Sequence, residues 1–459
     1  ISLRTQRIFI REKIFSLKSI FLRIKKRDFS GNSGLAIKNS IYQISATTIA
    51  KIGSIFLIVL LARALGPEIF GLYSVAFSTI LIFGTVAGFG VADTLISLVS
   101  KRLGENNLPK VKGYISYLSK ILFFSSLITT ALLLLLSKPL AYGYYGKPIF
   151  LALIAGGFYI LFFQFNKFNQ SIAMASNNFN KIFYKEIIFQ TSRIIFAFLF
   201  IVFILNEELS IELKLFFTIL VMSIPYLISG MSANLSLDNK SIKKPLSKKE
   251  KKSTNKFLIA MTLFLFSGVF FNYIDIVMLA RFVLPEFLGY YNAALGLIGG
   301  LIPLVGFGSV VLLPMFSRLK NKQARRGLRK SIYLTLLVTV LISTLVIIFA
   351  NSIISLIYGK DYILSVGILR LLSFSLIIIS LIGLYQTYFI SLGKPSKIVK
   401  LLLISTIINI FLNYFFIVFL LPYGQMMAVY GVLIATILSK LAYLIGLVIE
   451  SKKLYKKVL

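Results

Sequence analysis

Leu60–Ala76 reads LLARALGPEIFGLYSVA, and Met278–Ala294 reads MLARFVLPEFLGYYNAA. Each is a membrane-grade apolar run interrupted by an arginine, a Pro-Glu pair and a glycine, after which the apolar run resumes. Leu61 to Gly90 aligns with Leu279 to Gly308 without a gap, at a constant offset of 218. Identities fall at Leu61/Leu279, Ala62/Ala280, Arg63/Arg281, Pro67/Pro285, Glu68/Glu286, Gly71/Gly289 and Tyr73/Tyr291, and again at the triplet GFG, 88–90 against 306–308. A second anchor at offset 216 matches Gln170 and Lys181-Ile182 to Gln386 and Lys397-Ile398. Two apolar segments resemble one another by chance, but Arg, Pro, Glu and Gly shared in register do not. The chain is two copies of one unit.

Locally, each phrase predicts a helix end, a short turn and a helix start. Arg63 suits a helix C-terminus, where a cation meets outward-pointing carbonyls and snorkels into the interface. Pro67 suits the first turn of the next helix, whose N–H would be orphaned anyway. Glu68 favours the positive N-terminal end, and Gly71 permits close helix approach. This reading is structural; the competing one has Arg63 or Arg281 touching substrate directly.

The composition explains why the apolar runs are so long. Of 459 residues, 58% are hydrophobic and 14% are charged, against roughly a quarter charged in a soluble domain. A spanning helix needs about 20 mostly apolar residues. That rule predicts an all-α integral membrane protein of about twelve spans, near 36–62, 69–100, 113–137, 148–173, 181–205, 211–236, 257–283, 287–317, 329–351, 361–391, 397–421 and 427–450. The repeat unit is then six helices. An even number returns the chain to its starting side, so the two lobes are parallel repeats about an axis along the membrane normal.

The connections alternate in charge. The basic ones carry residues such as Arg4, Arg23, Lys101, Lys110, Lys249, Arg325 and Lys452. The opposite side has scattered cations, Arg63, Lys138, Lys147, Arg281 and Lys360, with the acidic Glu207, Glu208 and Glu212. By the positive-inside rule the basic side and both termini are cytoplasmic. The net charge of +35 is therefore a topology signal, and nucleic acid is not expected as a partner. Ile10, Ile14, Leu17, Phe21 and Ile24 form an apolar stripe flanked by Arg7, Arg11, Lys18 and Lys25. They suggest an amphipathic helix on an anionic inner leaflet; a basic tail that merely fixes topology is the alternative. The predicted organisation is a basic tail at 1–33, a lobe at 34–237, a polar linker at 238–256, a second lobe at 257–451 and a basic tail at 452–459. The N-terminal segment has no continuous apolar core before a small-residue site, so no cleavable signal is expected there.

There is no Cys, His or Trp. Disulfides, thiol nucleophiles and zinc sites are excluded, as is the commonest general base and metal ligand. No metal site and no cofactor are expected.

The phrases LARALGPEIFGLYS and DIVMLARFVLPEFLGYYNAA, with Ser391–Ile417 (SLGKPSKIVKLLLISTIINIFLNYFFI) and Pro422–Lys440 (PYGQMMAVYGVLIATILSK), resemble the polysaccharide or oligosaccharide flippases of the multidrug/oligosaccharidyl-lipid/polysaccharide (MOP) exporter superfamily. The resemblance runs from about Gly34 to Glu450. Departures are Leu284, where the first half has Gly66, and the lack of clear helices thirteen and fourteen. The resemblance implies two MOP/MATE-like six-helix lobes around a cavity open to one face at a time. It implies a flippase in the plasma membrane of a prokaryote. The implied substrate is a polyprenyl-linked oligosaccharide whose headgroup crosses while its lipid tail stays in the bilayer. Other glycan-assembly membrane proteins would be its partners.

Such a headgroup needs cations and hydrogen bonds inside the membrane, where charges are costly and usually face a cavity. Lys51, mid-helix in the first span, and Arg193, mid-helix in the fifth, are the leading diphosphate partners. Arg370 and Lys440 stand behind them. The run QFNKFNQ, Gln164–Gln170, offers Gln164 and Lys167 to sugar hydroxyls. Asp275, beside Asn272 and Tyr273, and Asp93 are candidates to carry a coupling proton or Na⁺. Glu186 and Arg193 share a face but lie too far apart for an i,i+4 contact. Asn409 and Asn413 read as interhelical glue. Gly88 and Gly90, with Pro303, Gly306 and Gly308, are hinge candidates. The rival readings are a cation-coupled small-molecule exporter, a peptidoglycan-precursor flippase and, from another class, a membrane glycan polymerase.

Overall fold

The computed structural model describes residues 31–205, 207–232, 244–318 and 321–456; the amphipathic stripe expected in the N-terminal tail lies outside them. Helix begins at Gly31 and runs to Gly88, folded at Gly66, whose φ of 69° and ψ of 169° end one helix and start another. We call the two parts α1 (31–65) and α2 (67–88). Only glycine adopts that backbone without strain, so a single residue suffices for the turn. Next come α3 (Val91–Gly104), α4 (Leu108–Lys138), α5 (Phe150–Ala175), α6 (Phe179–Phe200) and α7 (Ile211–Ser232). The second lobe holds α8 (Lys248–Leu279), α9 (Pro285–Arg318), α10 (Asn321–Ile357), α11 (Ser365–Ser391), α12 (Pro395–Leu420) and α13 (Gln425–Lys456).

Ten helical stretches among the described residues are long and apolar enough to cross a membrane, Ile37–Gly104 counting as one. With the fold at Gly66 and the 34-residue α9, the crossings number twelve. The protein is an all-α, multi-pass membrane protein of two six-span lobes.

Two boundaries differ from expectation for identifiable reasons. The second span, expected unbroken over 69–100, stops at Gly88 because Phe89 (φ 41°) and Gly90 (φ 61°) are both left-handed. The seventh helix starts at Lys248 rather than 257. Ser247 accepts from the Glu250 N–H and Glu250 accepts from the Ser247 N–H, a capping box that makes helix out of the second half of the polar linker.

Lipid is as apolar as leucine, so helices in a bilayer associate through close van der Waals packing rather than a hydrophobic force. Small residues accordingly sit where elements meet. Within the first lobe α5 packs on α7 and α4; within the second, α11 packs on α9 and α10, and α12 on α13. Between lobes, α1 and α2 pack on α9 and α8. Gly71 and Gly289 set this interface. A Cβ on Gly71 would overlap the carbonyl of Pro285, and one on Gly289 would overlap the carbonyl of Pro67. The repeated glycines thus touch each other's hairpins across the pseudo-two-fold axis.

Candidate functional site

The hairpin ends of the lobes are tied together reciprocally. Arg63 donates from Nε to Ile357 O at 2.7 Å and from Nη2 to Leu356 O at 2.5 Å. These are terminal carbonyls of α10, which have no partner within their own helix. Arg281 donates to Gly143 O at 3.1 Å and to Tyr144 O, and lies over the Tyr144 ring at 5.5 Å. Those carbonyls belong to the π-helical turn Pro139–Tyr145 that ends α4. Each arginine therefore meets helix-end carbonyls as expected, but in the opposite lobe rather than its own. Tyr362 Oη donates to Ala62 O at 2.7 Å and Lys147 Nζ to Val283 O at 2.9 Å, adding two more crossings. Burial holds the Lys147 ammonium below the usual lysine range.

Below this seal lies a cavity of about 550 Å³ between the lobes, within the ordinary range for ligand sites. Lys51 of α1 and Lys440 of α13 both face it, one cation from each lobe. Tyr73, Phe77 and Tyr273 give it aromatic walls, and Asn272, Asp275, Tyr291 and Thr436 add polar groups. Asp275 is buried. Its Oδ1 accepts from Asn413 Nδ2 at 2.7 Å; its Oδ2 accepts from Thr436 Oγ1 at 2.5 Å and Tyr291 Oη at 3.4 Å. Asn413 also donates to Asn409 Oδ1 at 3.1 Å, while its own Oδ1 is buried without a partner. Asn409 and Asn413 do join helices, α12 to α8 and α13, and they do so around a carboxylate.

A smaller, separate cavity of about 190 Å³ lies on the linker side of the first. Tyr273 lines both. Gly84, Gly88 and Gly90 form one part of its wall, and Asp93, Gln164 and Lys167 all face it. Gln164 Nε2 donates to Gly84 O at 2.6 Å. Asp93 sits in the first turn of α3, where a helix favours a carboxylate. On this side α4 and α8 are tied by Lys110–Glu250 at 2.6 Å and Tyr117–Asn255 at 2.8 Å.

Two expected site residues lie elsewhere. Arg193 lines neither cavity. It is buried within the first lobe, donating to Gln190 Oε1 at 2.7 Å and Ser54 Oγ at 3.2 Å, above the Phe189 ring at 5.0 Å. Gln190 in turn donates to Glu186 at 2.6 Å, so an intervening amide bridges the separation between Glu186 and Arg193. Arg370 is exposed and lines neither cavity. Most of the polar run on α5 holds helices together: Asn166 donates to Tyr226 O and Asn169 to Gly230 O, each at 3.0 Å. Pro303, Gly306 and Gly308 lie in the continuous helix of α9.

The sequence reading missed Lys185, which is buried and donates to Asn166 Oδ1 at 2.5 Å. An ionisable residue within a span was signal enough. It also missed the aromatic walls, for which no sequence signal exists, because lipid-facing and cavity-facing aromatics look alike in an apolar span.

The signature of the family described as polysaccharide biosynthesis protein matches residues 36–320. No curated protein matches the chain. Among solved structures, an inward-facing multidrug resistance MATE-family transporter of the MOP superfamily is similar over 90% of this chain and 99% of its own, at 13% identity and TM-score 0.71. The lipid II flippase MurJ, in an inward closed conformation, is similar over 90% of this chain and 87% of its own, at 18% identity and TM-score 0.72. A MOP superfamily transporter from Pyrococcus furiosus is similar over 90% and 94%, at 15% identity and TM-score 0.55. The matched signature covers well over half of the chain, and the twelve crossings follow the MOP arrangement. The chain is a membrane member of the polysaccharide biosynthesis protein family with the fold of the MOP-superfamily transporters.

Proposed function

We propose that this protein flips a polyprenyl-diphosphate-linked oligosaccharide from the cytoplasmic to the outer leaflet of a prokaryotic plasma membrane, for surface polysaccharide or glycan assembly. The observation that carries this reading is the pair Lys51 and Lys440, which present one cation from each lobe to a single inter-lobe cavity. A diphosphate accepts charge-assisted hydrogen bonds from both. Because the lobes share the anion, its affinity depends on how they are juxtaposed, and differential affinity between two conformations is what lets a ligand shift them. A cationic drug would be repelled by the same two groups, which disfavours the multidrug-exporter reading. The basic connections support a cytoplasmic linker side by the positive-inside rule. The headgroup then enters from that side, and rocking of the lobes breaks the arginine seal to release it outside.

Asp275 is the group proposed to hold a coupling proton or Na⁺. Its carboxylate, the unpartnered Asn413 Oδ1 and the Asn409 and Thr436 oxygens form an oxygen-rich cluster that suits a hard cation. The family's glycan-assembly enzymes are the proposed partners.

The test is a reconstituted-vesicle assay with a fluorescent polyprenyl-diphosphate oligosaccharide. The protein should change its sidedness; no protein-dependent change, with or without ion gradients, overturns the reading. Lys51→Ala and Lys440→Ala should each slow flipping roughly 10- to 150-fold, as losing a charged hydrogen bond of about 1.5–3 kcal/mol predicts. Full activity in both removes the site assignment.

A further inference from the structure

We propose that the smaller cavity between α2, α5 and α8 is a sugar subsite, distinct from the anion site at Lys51 and Lys440; this rests on the flippase reading above. Its chemistry differs from that of the central cavity. Phe163 of α5 and Tyr273 of the other lobe line it and are partly exposed, with buried Tyr159 stacked on Phe163 at 5.8 Å and 12° between ring planes. An aromatic face is the negative end of the ring quadrupole, which attracts the C–H face of a pyranose. Around these rings stand an acceptor-only carboxylate, Asp93, a donor-only ammonium, Lys167, and the Gln164 amide. A sugar hydroxyl is both donor and acceptor, so it can use all three. Neither Asp93 nor Lys167 has an ion-pair partner among the described residues. Lys167 instead lies over the Phe163 ring at 5.9 Å.

The shape agrees. Gly84 and Gly88 keep the wall free of side chains, and a Cβ on Gly88 would crowd Gln164 Oε1 at 3.1 Å. A volume of about 190 Å³ is below the roughly 300–1,000 Å³ of drug-sized sites and fits one ring rather than a chain. Along α8, Val269 lies about 9 Å from Asp275 at 1.5 Å per residue, so the subsite follows directly on the anion site. Asp93 and Lys167 offset each other here, whereas Lys51 and Lys440 outnumber Asp275 in the central cavity, which is the more attractive to a phosphate. The headgroup is therefore held with its diphosphate toward the outer seal and its first sugar toward the linker side.

The experiment compares binding of undecaprenyl diphosphate with binding of the same lipid carrying one N-acetylglucosamine or one glucose, using the full chain in detergent. Wild type should bind at least one sugar-bearing lipid more tightly than the bare diphosphate. Asp93→Asn and Gln164→Leu should each erode that preference about tenfold while leaving the bare diphosphate unchanged. Lys51→Ala and Lys440→Ala should weaken all three lipids alike. Thermal unfolding of each variant identifies any misfolded protein, and Lys167→Gln, at a partly exposed position, gives an independent variant of the subsite. The subsite falls if wild type gains nothing from either sugar, or if the Asp93, Gln164 and Lys167 variants keep the preference. It also falls if they weaken the bare diphosphate equally, which would make this cavity the phosphate site. If Lys51→Ala and Lys440→Ala bind every lipid as wild type does, the anion site falls instead; if wild type binds none of the three lipids, the flippase reading falls.

Discussion

The two lobes are copies at their hairpins and strangers in their interiors. At the hairpins, Arg63 and Arg281 cap carbonyls in each other's lobe, and Gly71 and Gly289 make room for each other's proline carbonyls. Within the spans, among the described residues, the first lobe buries Lys185 and Arg193, whereas the second buries a carboxylate, Asp275. The difference teaches where each constraint comes from. A seal between two equivalent lobes is self-complementary, so one change at a hairpin must suit both sides. The interiors need no such match, and each is free to diverge toward chemistry.

The largest effect should come from the divergent interior. Asp275→Leu removes the acceptor of three buried donors and should destabilise the protein by about 1–3 kcal/mol for each donor left unsatisfied. Asp275→Asn should retain most of the stability and lose any stimulation of flipping by a proton or Na⁺ gradient. Equal gradient response in wild type and Asp275→Asn would remove that residue from coupling.

In the first lobe the expectation is reversed. Arg193→Met should cost about 1–3 kcal/mol, because Gln190 loses a donor and Ser54 a partner, and should leave affinity for undecaprenyl diphosphate unchanged. A drop in lipid affinity without a drop in melting temperature would place Arg193 in the substrate site after all.

The hairpin symmetry predicts matched effects. Because the chain has no Cys, Asn292→Cys provides a clean reporter facing the central cavity. Arg63→Ala and Arg281→Ala should each raise its labelling from outside about fivefold in right-side-out vesicles, as loss of about 1 kcal/mol from the sealed state implies. The double variant should exceed either single one. Unequal single effects would break the symmetry of the seal.

The smallest effect concerns the one place where the hairpins differ. Gly66→Ala forces a side chain into a left-handed backbone and should cost about 1 kcal/mol. Leu284→Gly should cost less than half of that, because the second hairpin turns over several residues after α8 ends at Leu279 and no residue from 280 to 284 has positive φ. Denaturant midpoints of the two variants measure the contrast.

Much of this was legible in the residues. Apolar length and the alternation of charge set twelve crossings, and the shared Arg, Pro, Glu and Gly at offset 218 set two parallel lobes. Those signals are local or periodic, so they survive without knowledge of contacts. The triplet GFG shows where legibility ends. At 88–90 it breaks a helix, with α8 so close that a Cβ on Gly90 would lie 2.7 Å from Met261 Cβ; at 306–308 the helix of α9 continues. Glycine permits both backbones, and the neighbouring element decides between them.

The same holds for the site. Lys51, Lys440 and Asp275 could be named from sequence because an ionisable group inside a bilayer is costly wherever it points. That cost marks the residue but gives no direction. Only packing turned Lys51 and Lys440 toward one cavity, turned Arg193 inward onto Gln190, and carried Arg63 across to the carbonyls of α10. Composition and period fixed what the chain must bury in a membrane; the closeness of helices permitted by glycine fixed which buried groups meet.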